Sequence, residues 1–269
     1  MKIIESILTK NPCYSKGRKR ASTKGLMLHS VGCAQPSAMA FISNWNRPNY
    51  TSACVHGFID ANTGDVYQTL PWYWRGWHAA SGKKGSANNT HVGVEMCEPD
   101  CIKYKPNSAE FTCSDLARAR EMATRTYNSA VELFAMLSRQ FQLNPQAPGV
   151  IISHSEGHKL GIASNHGDPE HLWRQLGLPY TMDTFRQDVV NRIGQIKPVV
   201  DTFEPYMVRV TISNLNIRTG PGTNYPKTGN YTGVGTFTIV AESNGTGASK
   251  WGKLKSGAGW ISLDYAKKV

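Results

Sequence analysis

The sequence of 269 residues contains no apolar run near the roughly 18 residues that a membrane span needs, so stable membrane insertion is not expected. Acidic residues are also few, at 19 against 30 lysines and arginines, and the formal net charge is +11. A chain this basic is expected to meet a polyanion such as nucleic acid, an anionic membrane or an anionic cell-wall polymer. Helix-turn-helix, zinc-finger and RNA-binding signatures are missing, which makes nucleic acid the weaker choice.

Disulfide scaffolding and secretion signals are not indicated either. The six cysteines are scattered along a chain too large to need staples, and Cys97-x-x-x-Cys101 has no second pair that would complete a zinc knuckle. The opening MKIIESILTK has a charge inside its short apolar run and no small-residue cleavage site, unlike a signal peptide. We therefore expect synthesis in the bacterial cytoplasm with reduced thiols, and release by some other protein.

The most informative stretch runs from Val150 to Trp173. Its first three residues are apolar and predict a short buried strand, which is followed by His154 and, further on, by Asp168. Imidazole and carboxylate groups are the ligands of a catalytic zinc, which takes three protein ligands and keeps a fourth position open. The third ligand must then come from elsewhere, and His29, at the end of the apolar run LML, is the best candidate.

The segment HVGVEM predicts a strand in which Val92, Val94 and Met96 share one face and Glu95 lies on the other. A carboxylate in a strand that is otherwise apolar needs a partner or a function if it is buried. The alternative is an edge strand with Glu95 in water.

Periodicity elsewhere predicts helices and a hairpin that build an ordinary core. Short helices are predicted over 36–46 and 182–193, and a long one over 114–143 with Ser114 as its N-cap. Met39, Ile42 and Trp45 are predicted to share the core-facing side of the first helix. The sequence VHGFIDANTGDVYQ predicts a β-hairpin. The basic residues 1–24 favour a solvated loop or arm.

An aromatic stretch, WYWRGWHAAS, contains Trp77 and His78 and leads into a loop of small polar residues. These side chains could cap the core, or they could form a wall that binds sugar and peptide groups of a substrate. Both interpretations stay open at this point.

Several of these segments together resemble a known family. The pieces LMLHS, VHGFIDANTGDVYQ, GWHA, HVGVEM and ISHSEGHKLGIASNHGDP resemble, in order, the zinc-dependent N-acetylmuramoyl-L-alanine amidases, also called amidase type 2, a family that includes peptidoglycan recognition proteins. The resemblance implies an α/β fold, a mixed central sheet flanked by helices. It also implies hydrolysis of the amide between N-acetylmuramic acid and L-alanine in bacterial peptidoglycan.

The same resemblance assigns roles to individual residues. His29 in LMLHS, His154 in ISH and Asp168 in HGDP match the three ligands of Zn²⁺, and Glu95 matches the catalytic glutamate. His166 matches a position where several relatives have a lysine that stabilises an oxyanion. His158 and His171 are two further histidines in the same stretch.

The last 63 residues have a different pattern of short alternating runs with glycine turns, which predicts a small all-β barrel. LNIRTGPGTNYPKTG and WGKLKSGAGWISLDY resemble a bacterial SH3-like (SH3b) cell-wall-binding domain. The implied organisation is a zinc amidase domain over 1–195, a linker over 196–206 and an SH3b domain over 207–269. The implied partners are peptidoglycan and its associated anionic polymers, and the sequence carries no indication of oligomeric state.

Three rival functions remain at this stage. Members of the amidase family that lack a metal ligand bind peptidoglycan fragments without cutting them, so a non-catalytic recognition module is one alternative. A cysteine peptidase using Cys54 and His78 is another, although neither residue lies in a recognisable peptidase motif. A nucleic-acid-binding protein has no supporting motif. Among hydrolases, a phage or prophage endolysin released through a holin-type pore is favoured over a host autolysin.

Overall fold

The structure is a computed structural model that describes residues 1–195 and 203–269. Contacts within the chain divide it into two compact units, Met1–Ile196 and Lys197–Val269, and each has an apolar core of its own. The predicted linker over 196–206 falls largely outside the described residues, and its last residue, Tyr206, is the first of a strand. Within the described residues, no helix has the length and apolar character needed to cross a membrane.

The first unit is built on a six-stranded mixed sheet whose order is β1-β4-β3-β5-β2-β8. All neighbouring pairs in it are parallel except the predicted hairpin, β3 with β4, which is antiparallel. A separate antiparallel pair, β6 with β7, lies outside this sheet. The eight strands are β1 (Ile3–Glu5), β2 (Gly25–Ser30), β3 (Gly57–Ile59), β4 (Val66–Gln68), β5 (His91–Met96), β6 (Ile102–Tyr104), β7 (Phe111–Cys113) and β8 (Ile151–Ser153).

Six helices flank the sheet, so the first unit has the mixed α/β architecture that the sequence predicted. They are α1 (Pro12–Ser15), α2 (Ala38–Trp45), α3 (Leu116–Gln140), α4 (His154–Lys159), α5 (Glu170–Gln175) and α6 (Met182–Gln195).

Strand alternation decides which side chains enter the main core and which are left for chemistry. Leu26 and Leu28 of β2 and Val92, Val94 and Met96 of β5 belong to the large cluster that α3 and α6 cover, as predicted for β5. The intervening residues of both strands point to the opposite face, since successive side chains of a strand alternate. Those residues include His29 and Glu95.

Two helix predictions need correction. The N-cap of α3 is Asp115 and not Ser114, because the Asp115 side chain accepts a hydrogen bond from the backbone N–H of Arg118 while the Ser114 hydroxyl donates to the Cys101 carbonyl. In α2, Ile42 is buried as predicted, but the Met39 side chain is 45% exposed.

The basic N-terminal segment is not a free arm, although four of its basic residues are solvent-exposed as predicted: Lys16, Arg18, Lys19 and Lys24. Residues Ile3–Glu5 form β1 and pair in parallel with β4, which extends the sheet. Arg20 is only 7% exposed, and its guanidinium donates to the carbonyls of Trp72 and Trp74 and to the Thr23 hydroxyl. The Arg20 side chain therefore ties the N-terminal segment to the aromatic stretch.

The second unit is entirely β, with one seven-stranded antiparallel sheet in the order β11-β10-β14-β13-β12-β9-β15. Its apolar core includes Val208, Ile217, Ile239 and Ile261. This agrees with the predicted small all-β region, and its SH3-like identity stays a prediction. The strands are β9 (Tyr206–Val210), β10 (Asn216–Arg218), β11 (Lys227–Tyr231), β12 (Gly235–Gly245), β13 (Ala248–Leu254), β14 (Trp260–Ser262) and β15 (Ala266–Lys268).

The corrected N-cap of α3 can be tested with a matched pair of variants. We expect Asp115→Ala to lower the free energy of unfolding by about 1 kcal/mol, because it leaves a first-turn N–H of α3 without its acceptor. Ser114→Ala should cost clearly less. Urea unfolding followed by far-ultraviolet circular dichroism, which reports the helices of the first unit, measures both. A larger loss for Ser114→Ala would contradict the assignment.

Candidate active site

The predicted site residues come together at the carboxyl ends of three neighbouring parallel strands. His29 in β2 is the direct register partner of Glu95 in β5. On the other side of β2, strand β8 ends at Ser153 and His154 begins α4. Parallel strands end at one edge of a sheet, where side chains from separate segments can share a cleft.

His29, His154 and Asp168 present three ligand atoms to one another. His29 Nδ1 lies 3.1 Å from His154 Nδ1 and 3.1 Å from Asp168 Oδ2. His154 Nδ1 lies 3.6 Å from Asp168 Oδ1. Both imidazoles therefore turn the same kind of nitrogen toward one carboxylate.

This donor set fits zinc. A tetrahedral ion with ligand bonds of about 2.0–2.1 Å separates its ligands by roughly 3.3 Å, close to the three distances between His29, His154 and Asp168. Nitrogen and carboxylate ligands are also the chemistry that zinc takes in catalytic sites. Moreover, the Oε2 atom of nearby Glu95 is buried without a hydrogen-bond partner in the described residues, which leaves it free to act on a water or substrate group.

The electrostatics of the site reflect charged groups crowded into a buried space. Burial raises the pKa of Glu95 to about 8, although the positive charge of His29 opposes this. Burial, and then the charge of His29, lowers the pKa of His154 to about 4. Burial alone would lower the pKa of His29, but the hydrogen bond with Asp168 and the charges of Glu95 and Asp168 raise it.

His78 lies directly behind His29 and fixes its proton. His29 Nε2 is 3.0 Å from His78 Nδ1, and His78 Nε2 is 3.3 Å from the His91 carbonyl oxygen. A carbonyl only accepts, so His78 carries its proton on Nε2 and accepts at Nδ1. His29 must then donate from Nε2, and its Nδ1 keeps a lone pair for a metal. Burial lowers the pKa of His78 well below its ordinary value, which favours this neutral form.

The backbone around His78 is shaped to admit its ring. A Cβ atom on Gly93 of β5 would lie 2.3 Å from His78 Cγ, so only glycine fits opposite the ring. The Asn88 side-chain oxygen accepts from the backbone N–H groups of His78 and Ala79. Both ring nitrogens of His78 are engaged within the protein, and the residue also lines the cleft, so the substrate contact that the sequence suggested stays a prediction.

His166 is connected to His154 through the hydroxyl of Ser164. The sequence did not indicate a role for Ser164. The Ser164 hydroxyl lies 3.2 Å from His154 Nε2 and 3.0 Å from His166 Nδ1. It can accept from the first ring and donate to the second, which orders both imidazoles. His166 itself is exposed at the cleft, and its Nε2 has no hydrogen-bond partner in the described residues.

A second buried carboxylate, Glu98, lies behind two residues of the cleft wall, Tyr104 and His171, and the sequence did not indicate it. Tyr104 donates to Glu98 at 2.7 Å, and its oxygen lies 2.7 Å from His171 Nε2. Burial raises the pKa of Glu98 to about 7. His171 is thus engaged with Tyr104 rather than with the three ligands. His158 is likewise turned away, because its Nδ1 lies 3.3 Å from the Ala163 carbonyl.

One open cleft of about 590 Å³ is lined by the residues of the candidate site, among them His29, Glu95, His154, His166 and Asp168. Trp77 lines it, so the suggested substrate wall keeps this residue, whereas Trp72 is buried in the main core. Glu95 belongs to the inner strand β5, between β3 and β2, and so the edge-strand alternative is wrong.

The structure does not support the cysteine-peptidase alternative, because its proposed nucleophile, Cys54, is inaccessible. Cys54 is fully buried, and a hydrogen bond with Cys13 together with burial raises the pKa of its thiol. A nucleophilic cysteine needs the opposite shift and access to substrate. His78, its proposed base, faces His29 instead. All six cysteines are free thiols.

Comparison with known proteins decides the family. Residues 19–171, more than half of the chain, match the N-acetylmuramoyl-L-alanine amidase family. The chain belongs to this family. The match includes every strand of the sheet except β1, and it includes all of the residues assigned to the site above.

Individual relatives are more distant. The N-acetylmuramoyl-L-alanine amidase CwlH of Bacillus subtilis is 40% identical over 58 residues, which is 22% of this chain and about a fifth (21%) of CwlH. The catalytic domain of XlyA is 20% identical, with a TM-score of 0.48 over 70% of this chain and 99% of that domain. The Staphylococcus aureus hydrolase AmiA, solved with its ligand, is 20% identical, with a TM-score of 0.49 over 74% of this chain and 88% of AmiA.

The role of His78 behind His29 can be tested by metal binding. We expect His78→Ala to weaken zinc binding about 10- to 100-fold, since His29 loses the acceptor that fixes its proton on Nε2. His78→Asn retains an acceptor oxygen near the Nδ1 position and should recover part of the loss. Competition with a zinc-chelating dye measures the affinity of each purified full-length variant.

The matched control is His158→Ala, which removes a nearby imidazole that touches no ligand and should leave the zinc affinity unchanged. If His78→Ala binds zinc as tightly as the parent chain, the role assigned to His78 is wrong.

Proposed function

We propose that this amidase hydrolyses the bond between N-acetylmuramic acid and L-alanine, that His29, His154 and Asp168 hold a catalytic zinc, and that Glu95 is the general base. The observation that carries the proposal is the convergence of two Nδ1 atoms and one carboxylate beside a buried carboxylate with an unsatisfied oxygen. Each of these groups comes from a different segment, and no structural need of the core accounts for their meeting.

The protein's own groups divide the chemistry between them. Zinc, when bound, would act as a Lewis acid and favour the ionised form of Glu95. Glu95 accepts a proton from the attacking water and returns it to the alanine nitrogen as the C–N bond breaks. The ring of His166 lies 4.5 Å from that of His154 between centroids, and we propose that it donates to the oxygen that becomes negative during attack.

A non-catalytic binding role is less well supported by the residues present. A module that only binds peptidoglycan fragments needs neither a complete set of ligands nor a buried base. Here the ligand triad is present together with Glu95, and His78 and Ser164 order the two imidazoles from behind. Such supporting contacts fix the orientation of metal-ligating imidazoles and tune metal affinity, and their presence here supports a metal site.

We further propose that the second unit binds the cell wall. Residues 203–269 contain eight lysines and arginines against three acidic residues. An excess of positive charge favours a surface of carboxylates and anionic polymers, and salt should weaken such binding. The SH3b identity, the phage or prophage origin and the holin-type release remain predictions from the sequence.

Analysis of the digestion products identifies the bond that the protein cleaves. We expect digestion of purified walls to release peptides with L-alanine amino ends and to leave glycan strands that retain the lactyl carboxyl groups, as identified by mass spectrometry. A chelator should abolish the release and added zinc should restore it, whereas thiol alkylation should have no effect. New reducing sugar ends, or cleavage within the peptide, would disprove the proposed bond.

One substitution can distinguish the proposed role of Glu95 as a base from a role in metal binding. We expect Glu95→Gln to lower the rate of hydrolysis about 100- to 10,000-fold, because the amide side chain cannot accept the proton of the attacking water. Zinc content, measured by atomic emission, should stay that of the parent chain. Normal activity in this variant would show that another group is the base.

A further inference from the structure

A second cleft, of about 710 Å³, opens beside the active site and shares Ser164 with it. Its lining carries three lysines, Lys83, Lys84 and Lys159, together with His158, and no carboxylate. We call it the lysine cleft.

The lysines of this cleft lack partners. Among the described residues, no carboxylate oxygen lies within 4.0 Å of any of their ammonium groups, although other lysines and arginines of the chain form ion pairs. Neither contributing segment, 79–90 nor 157–167, contains an aspartate or glutamate. The cleft is therefore a site of uncompensated positive charge.

The cleft is held in shape by backbone contacts. Lys83 and Lys84 form the tip of a two-residue turn between Gly82 and Gly85, which pair with each other. The Lys84 N–H donates to the Gly161 carbonyl at 2.7 Å. A Cβ atom on Gly82 would lie 2.4 Å from the backbone of Gly161, so this approach requires glycine. The lysine turn is thus fixed to the loop that leads to the metal ligands.

We propose that the lysine cleft binds the carboxylates of the stem peptide next to the scissile amide. The proposal rests on the amidase function proposed above. The lysine cleft shares a wall residue with the reaction site, so a substrate bound at that site extends into the cleft. An extended peptide advances only about 3.3–3.6 Å per residue, so the part that enters lies close to the scissile amide. The sugars of a muramyl peptide are neutral, whereas its peptide carries carboxylates. Uncompensated lysines therefore select the peptide side of the substrate.

The test compares two synthetic ligands, an N-acetylmuramyl-L-alanyl tripeptide with free carboxylates and the same compound with these groups as carboxamides. Binding is measured by calorimetry on the full chain with Glu95→Gln, so that no cleavage interferes. We expect the carboxylate form to bind about three- to tenfold more tightly, and Lys83→Gln with Lys84→Gln to remove this preference. Binding of the carboxamide form should change little.

The matched control is Lys2→Gln with Lys10→Gln. It removes the same charge near β1, at the opposite edge of the sheet from β8. The preference for carboxylates should survive in this control. The proposal is overturned if the two ligands bind alike, if the turn variant keeps the preference, or if the control loses it too.

A further experiment distinguishes between the stem peptide and the wall polymers as the occupant of the lysine cleft. Binding to purified walls is measured before and after acid extraction of their phosphate-containing polymers. If the turn variant weakens binding only to unextracted walls and not to the soluble peptide, the occupant is a polymer phosphate and the proposal is wrong. Because the binding assays require no cleavage, the subsite can be established even if product analysis were to disprove the proposed bond.

Discussion

The site depends on the register of β2 between its two parallel neighbours. Pairing His29 with Glu95 puts both side chains on the face away from α3, at the same height in the sheet. The pairing of Leu28 with Ser153 brings His154 to that same level, one residue beyond β8. A slip of one residue in β2 would turn His29 into the apolar core, because strand side chains alternate with a period of two. The apolar residues of these strands fix the register, and the register thus determines the positions of the proposed ligands.

The same geometry explains why so many histidines lie in one region. Two carboxylates, Glu95 and Asp168, and the ring of His29 share a crowded and mostly buried space at the inner end of the cleft. Burial opposes charge on each group, as the raised pKa of Glu95 and the lowered pKa of His154 show. Neutral imidazoles that donate through one nitrogen and present a lone pair at the other suit this space, and His78 is the group that forces that arrangement on His29.

Much of this was predictable from the sequence, and the exceptions share a cause. Local periodicity and the family motifs were sufficient for the central strands, for α3 and for the three side chains that converge, His29, His154 and Asp168. The register that joins β2 to β8 and the partner of His78 depend on contacts between distant segments. The burial of Arg20 was not predictable because a charge run is normally solvated, whereas here backbone carbonyls of the aromatic stretch accept from its two terminal nitrogens. Ser114 and Asp115 are both good N-cap residue types, and only the turn geometry shows that Asp115 is the cap.

One loop connects the two features that the sequence could not reveal. The segment from His78 to Ala87 begins behind His29 and then carries the lysine turn. It is joined to the loop before His166 by hydrogen bonds from Ser164 to Ala79 and from Ala87 to Ile162. The contact that fixes the orientation of a ligand histidine therefore also fixes the lysines of the adjoining cleft. A shift in this loop would move His78 and the lysine turn together, and Gly82 is the residue that permits the close approach of the turn to Gly161.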